Sequence, residues 1–156
     1  TRLRDHWRPY HEALQQLMDD TRQRFGDVIL IDCHSMPHVA IDSIGTSGTP
    51  HPQIVLGDRF GAAAGQLIVD RIEAAFAAAG LRVARNTPFA GAYTAQHYGR
   101  PSKGQHVIQI EIDRSLYMNE RLVRPSGNFA DFQALMRGVI AEITEIGRKE
   151  LPLAAD

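Results

Sequence analysis

The chain has 156 residues, enough for one domain, and sets 17 basic against 18 acidic residues for a net charge of −1. With 44% hydrophobic and 22% charged residues its composition is that of an ordinary globular protein, which excludes intrinsic disorder. No apolar run is long enough to cross a bilayer, and no cationic excess is present to displace counterions, so neither a membrane nor a nucleic acid is an expected partner.

One cysteine, Cys33, leaves no internal disulfide and no Cys-rich zinc module; it fits a reducing compartment, and the expected location is cytoplasmic. The chain opens on Thr1-Arg2-Leu3-Arg4 without a methionine, as a fragment or a processed product would, and that charged run does not read as a signal peptide.

Residues 9–25 carry Leu14, Leu17, Met18, Thr21 and Phe25 at helical spacing, with Pro9 suited to the first turn and Gly26 to the stop. His11 falls on the same stripe. Val28-Ile29-Leu30-Ile31 predicts a central parallel strand covered on both faces, ending at Asp32-Cys33-His34-Ser35. Residues 36–53, rich in Pro, Gly, Ser, Thr and His, predict a long irregular connection. Ile54-Val55-Leu56 predicts a short strand closed by Gly57-Asp58. A helix is expected over 62–79, with Asp58 as its cap and Gly80 as its end.

The next strand is expected over 81–84, leading into Arg85-Asn86, and residues 87–105 form a second irregular region. Residues 106–113 alternate strictly. Ile108, Ile110 and Ile112 take one face, and Val107, Gln109, Glu111 and Asp113 the other. Asn128, with Asp131 three residues on, predicts the cap of a last helix whose stripe includes Phe129, Phe132, Met136, Val139, Ile143 and Ile146. The order helix, strand, strand, helix, strand, strand, helix predicts one α/β domain over 1–156, with a mixed, largely parallel sheet and helices on both faces.

In such sheets ligands bind beyond the carboxyl ends of strands. His34, with His38 and His51 in the loop that follows, is either a metal ligand or a ring that holds the loop by hydrogen bonds. Asp32 shares its strand face and either orients it or has no part in the chemistry. Ser35 points away from its neighbour His34 and lacks a G-x-S-x-G elbow, so serine hydrolase chemistry is not expected. Cys33 reads as a small buried hydrophobe. Glu111 sits mid-strand among isoleucines, so its face is either wet or lines a polar pocket, where a carboxylate serves as a general base. Arg85, Arg100 and Arg114 are candidate carboxylate clamps.

Together these segments resemble the N-formylglutamate amidohydrolase family. The likeness is carried by Arg8-Pro9-Tyr10-His11; by Leu30-Ile31-Asp32-Cys33-His34-Ser35-Met36-Pro37; by Ile54-Val55-Leu56-Gly57-Asp58-Arg59-Phe60-Gly61; by Arg85-Asn86-Thr87-Pro88-Phe89-Ala90-Gly91; and by His106 through Glu111 to Met118. That family is similar to zinc carboxypeptidases and succinylglutamate desuccinylases. The resemblance implies their three-layer, phosphorylase/hydrolase-like α/β architecture and a Zn²⁺ cofactor, with His34 as the later zinc-binding histidine and Glu111 as the general base. It also implies that the first zinc ligands lie upstream of Thr1, so that the chain is the C-terminal portion of a longer hydrolase domain.

The implied reaction is hydrolysis of N-formyl-L-glutamate to formate and L-glutamate, a step of histidine degradation. The expected partner is therefore a small acidic N-acyl amino acid. Its carboxylates call for cationic and amide donors, and Asn86, Arg100 and Arg114 are the candidates. Two alternatives stand beside this reading. One is a non-catalytic protein that binds acidic N-acyl amino acids without the early zinc ligands. The other is a zinc deacylase for a different N-acyl amino acid.

Overall fold

The computed structural model describes residues 1–42 and 50–149. One wide helical turn, Leu3–Trp7, runs into α1, Arg8–Phe25, which has Pro9 in its first turn and ends at Gly26 with φ 84°. The strand β1 covers Val28–Met36, and a single helical turn, α2, covers Val39–Asp42. Then come β2 (Ile54–Gly57), α3 (Gln66–Ala78), β3 (Val83–Arg85), α4 (Tyr93–Tyr98) and β4 (Gln105–Asp113). A two-stranded ribbon pairs β5 (Met118–Asn119) with β6 (Arg124–Pro125), and α5 (Phe129–Lys149) follows.

The main sheet has the order β1-β4-β2-β3. β1 runs parallel to β4 and β3 parallel to β2, while β2 is antiparallel to β4. It is therefore the mixed, largely parallel sheet that the alternation predicts. One face carries α3 and α5. Ile54 and Leu56 of β2 and Ile108 and Ile110 of β4 pack there against Ile68, Val69, Ile72 and Phe76 of α3 and Val139 and Ile146 of α5. On the other face Val28 and Val107 meet Met18 of α1 and Ala95 and Tyr98 of α4. A fully buried large apolar side chain such as Phe76 contributes about 1.5–3 kcal/mol, so both layers are held chiefly by burial.

Three details depart from the sequence reading. β1 does not end at Asp32; it continues to Met36, carrying Asp32, Cys33, His34 and Ser35 inside the strand. It is also an edge strand of the described sheet, and the central position belongs to β4. An apolar run reports that both faces are covered, not that both edges are paired. Third, α3 begins at Gln66 rather than Ala62, behind Gly65, and Asp58 does not cap it. Short helices occupy both irregular regions, α2 in the first and α4 in the second; residues 43–49 of the first lie outside the described residues.

Gly57 ends β2 where a side chain has no room. A Cβ there would stand 2.6 Å from Gly91 N and 2.7 Å from the Ala90 carbonyl carbon. This close approach brings the 89–92 segment over the polar face of β4.

Candidate functional site

The register of β1 and β4 builds the site. Asp32 lies opposite Gln109, His34 opposite Glu111 and Met36 opposite Asp113. From the other side β2 sets Val55 against Glu111 and Gly57 against Gln109. Asp32, His34, Gln109, Glu111 and Asp113 thus share the α1/α4 face, toward the carboxyl ends of two parallel strands. On β4 that face is not wet, since Gln109 is 3% exposed, Glu111 7% and Asp113 3%, whereas on β1 the His34 imidazole is exposed.

The Glu111 carboxylate is held and tuned. Gln109 Nε2 donates to Glu111 Oε1 at 2.9 Å, and Gln109 Oε1 accepts from Ala92 N at 2.8 Å, which fixes the way the amide points. Burial pushes the Glu111 carboxyl above its ordinary value. The charges of His34 and Arg114 and the Gln109 hydrogen bond pull it back, while the charge of Asp32 adds to the rise. A carboxyl raised in this way is a better proton acceptor than one in water.

Beside it, His34 Nε2 lies 3.1 Å from Asp32 Oδ1, which favours the orienting role for Asp32. Asp32 Oδ2 is buried and has no hydrogen-bond partner among the described residues, a costly state for a carboxylate oxygen. Such an oxygen suits a nearby cation or N–H donor, and the imidazole beside it suits a metal. Yet among the described residues no three His, Cys, Asp or Glu side chains converge to hold an ion. The described residues by themselves therefore do not complete a catalytic zinc site, which takes about three protein ligands.

Arg114 lies where β4 ends. It donates from Nε to Ser35 Oγ at 3.1 Å and from Nη2 to Ser35 O at 3.0 Å, with its charge felt at Glu111. Ser35 is thereby engaged away from His34. Cys33 is exposed rather than the buried hydrophobe expected from the sequence; partial burial and then the charge of Asp32 push its thiol up, which keeps it protonated.

The structure does not gather the other candidates here. Asn86 uses its amide on Asp58 and Phe60. Arg100 bridges to Gln105 at the start of β4, about 20 Å from Glu111 by strand rise, and donates to Gln96 O at 3.0 Å and to Gly99 O. Arg85 pairs with Asp70 at 2.7 Å and with Glu73 of α3. His38 sits on Asp113 at 2.9 Å and His51 on Ile41 O at 3.1 Å, so both hold the loop after β1.

Arg59 is the cation that the sequence reading passed over. Its backbone N–H donates to Ala90 O at 2.8 Å and its guanidinium to Gly91 O at 3.4 Å, next to the Ala92–Gln109 bond. Only the run Gly57-Asp58-Arg59-Phe60-Gly61 signalled an unusual turn, and it reads equally well as a helix entrance.

Comparison with known proteins identifies the family. A family profile described as N-formylglutamate amidohydrolase matches residues 1–118. An N-formylglutamate deformylase of Pseudomonas aeruginosa is 31% identical over 150 residues, covering 92% of this chain and 52% of the relative. One from Pseudomonas putida is 34% identical over 119 residues, covering 73% and 42%. The crystal structure of an N-formylglutamate amidohydrolase from Ralstonia eutropha JMP134 superposes with a TM-score of 0.82 at 35% identity, covering 95% of this chain and 52% of that one. The chain spans about half the length of the curated relatives it matches.

Proposed function

We propose a function from one premise: the chain belongs to the N-formylglutamate amidohydrolase family. The proposed activity is hydrolysis of the formamide bond of N-formyl-L-glutamate. Water adds to the formyl carbon, the C–N bond breaks, and formate and L-glutamate leave. The observation that carries this reading is the buried Glu111 carboxyl standing opposite His34.

Glu111 takes a proton from the attacking water and passes it to the leaving nitrogen. Gln109 keeps the carboxylate oriented, and the apolar Val55 beside it excludes bulk water. Asp32 fixes the ring of His34. Arg114, whose charge is felt at Glu111, and Arg59, which donates to Gly91 O beside Ala92, suit a substrate with two carboxylates.

The proposed cofactor is zinc, with His34 as one protein ligand. Bound there, zinc would supply Lewis acidity toward the formyl carbonyl and lower the pKa of water. One rival reading is a protein that binds the acidic amide without turning it over. The test is formate release from N-formyl-L-glutamate by the protein expressed from its complete reading frame, with ligand binding followed in parallel by calorimetry. Formate release supports the hydrolase. Binding without formate release establishes the rival.

A further inference from the structure

We infer that Asn86, together with Asp58, is a positioning residue: it holds Arg59 in a strained turn, so that the Arg59 guanidinium rather than the Asn86 amide meets the carboxylates of the substrate. This rests on the reading above that the substrate is an acidic N-formyl amino acid.

Three consecutive residues after β2 are left-handed: Arg59 at φ 56°, Phe60 at φ 56° and Gly61 at φ 87°. Two of them carry large side chains, for which this backbone is disfavoured. Phe60 is 78% exposed, so burial of its ring does not offset the strain. Hydrogen bonds do. Asn86 Oδ1 accepts from Asp58 N at 3.1 Å and from Phe60 N at 3.2 Å, while Asn86 Nδ2 donates to Asp58 Oδ1 at 2.6 Å. Asp58, 6% exposed, accepts from Gly61 N at 3.1 Å through its other oxygen. Asn86 is itself left-handed, φ 59°, a conformation asparagine tolerates. Its carbonyl oxygen already has two donors and one of its two amide hydrogens is given to Asp58, so most of its hydrogen-bonding capacity is spent within the turn.

What this turn accomplishes is the direction of Arg59. The side chain runs along Gly91 and donates to a carbonyl, not to a carboxylate among the described residues. It lines a cavity of about 350 Å³ shared with Arg100, Gln96 and Ser102 on the flank of α4. Arg59 and Arg100 both line this cavity, a pairing of arginines that suits an anion, and the neighbouring Ala92 connects through Gln109 to Glu111. Arg100, remote from Glu111 along the strand, thereby shares a cavity with Arg59.

The test compares Asn86→Gly, Arg59→Gln and the double variant. Glycine accepts the left-handed backbone, so Asn86→Gly removes the hydrogen bonds without adding strain. Calorimetry measures binding of N-formyl-L-glutamate and of its uncharged dimethyl ester. Each single variant should weaken the dianion roughly tenfold or more and leave the diester unchanged, and the double variant should bind no worse than Arg59→Gln alone. Additive losses would show that Asn86 touches the ligand itself, and equal losses for dianion and diester would reduce it to a folding role; either overturns the inference. Amide hydrogen exchange supplies a readout that needs no ligand. The Asp58 and Phe60 amides should exchange faster in Asn86→Gly, and unchanged exchange would refute the positioning. If the wild-type protein bound neither compound, the substrate reading and the Arg59 assignment would fall together, while exchange would still decide whether Asn86 holds the turn.

Discussion

His34 and Glu111 stand opposite each other across the parallel β1–β4 pair, on one face of the sheet, with the imidazole partly exposed and the carboxyl buried. Parallel pairing gives neighbouring strands carboxyl ends on the same side, so a ring that suits a metal and a carboxyl that suits a proton are presented together. Nothing longer than a strand register is needed to bring them there.

The Gln109 amide favours the ionised form of Glu111, whose carboxyl burial has raised. Gln109→Leu removes that support, so the carboxyl should rise further. Because a general base works only when ionised, the acid limb of the kcat/KM profile should move to higher pH. A pH–rate profile of the variant checks this, and an unmoved limb would separate Glu111 from the titration that limits turnover.

A raised carboxyl also affects stability. The folded state holds the Glu111 proton more tightly than the unfolded chain does, so stability falls as pH rises from the ordinary carboxyl value through the raised one. Glu111→Gln escapes this cost. Its melting temperature should exceed that of wild type at neutral pH, and the difference should disappear in acid, where both side chains are uncharged.

His38 behaves oppositely. Its hydrogen bond to Asp113 raises its pKa, helped by the charges of Asp113, Asp42 and Glu120, while burial opposes the rise. The resulting stabilisation is fully present below the ordinary histidine value, about pH 6.5, and is lost as pH climbs through the raised value. Melting curves of wild type and His38→Gln should therefore differ most in mild acid and converge on the alkaline side.

Zinc content tests His34. Stoichiometric zinc in the protein expressed from its complete reading frame, and a marked loss in its His34→Ala variant, is the expected outcome of metal analysis. Equal zinc in both would remove His34 from the ligand set.

Much of this site could be read from the sequence, for physical reasons that differ by residue. The alternation across 106–113 placed Gln109, Glu111 and Asp113 on one face, because a strand allows no other arrangement. It did not say whether that face was wet; the 89–92 segment lying over β4 decided this, and such a long-range contact is not written in periodicity. The polar run from Asp32 to Ser35 looked like the end of a strand because hydrophobicity stops there, yet the backbone ladder continues to Met36. Helix α4 was hidden by its shortness and its Gly and Pro neighbours. Asn86 was expected as a substrate donor because an asparagine after a strand suggests a free amide; its hydrogen bonds to Asp58 and Phe60 belong to a left-handed turn that periodicity does not announce, and Arg59 in that turn carried no signal of its own.

The most direct measurement is steady-state turnover of N-formyl-L-glutamate by Glu111→Gln, with zinc content and ligand affinity determined on the same sample. The account predicts unchanged zinc, near wild-type affinity and a kcat lowered about 10²- to 10⁴-fold, the usual effect of removing a general base. Near wild-type turnover in Glu111→Gln would contradict it.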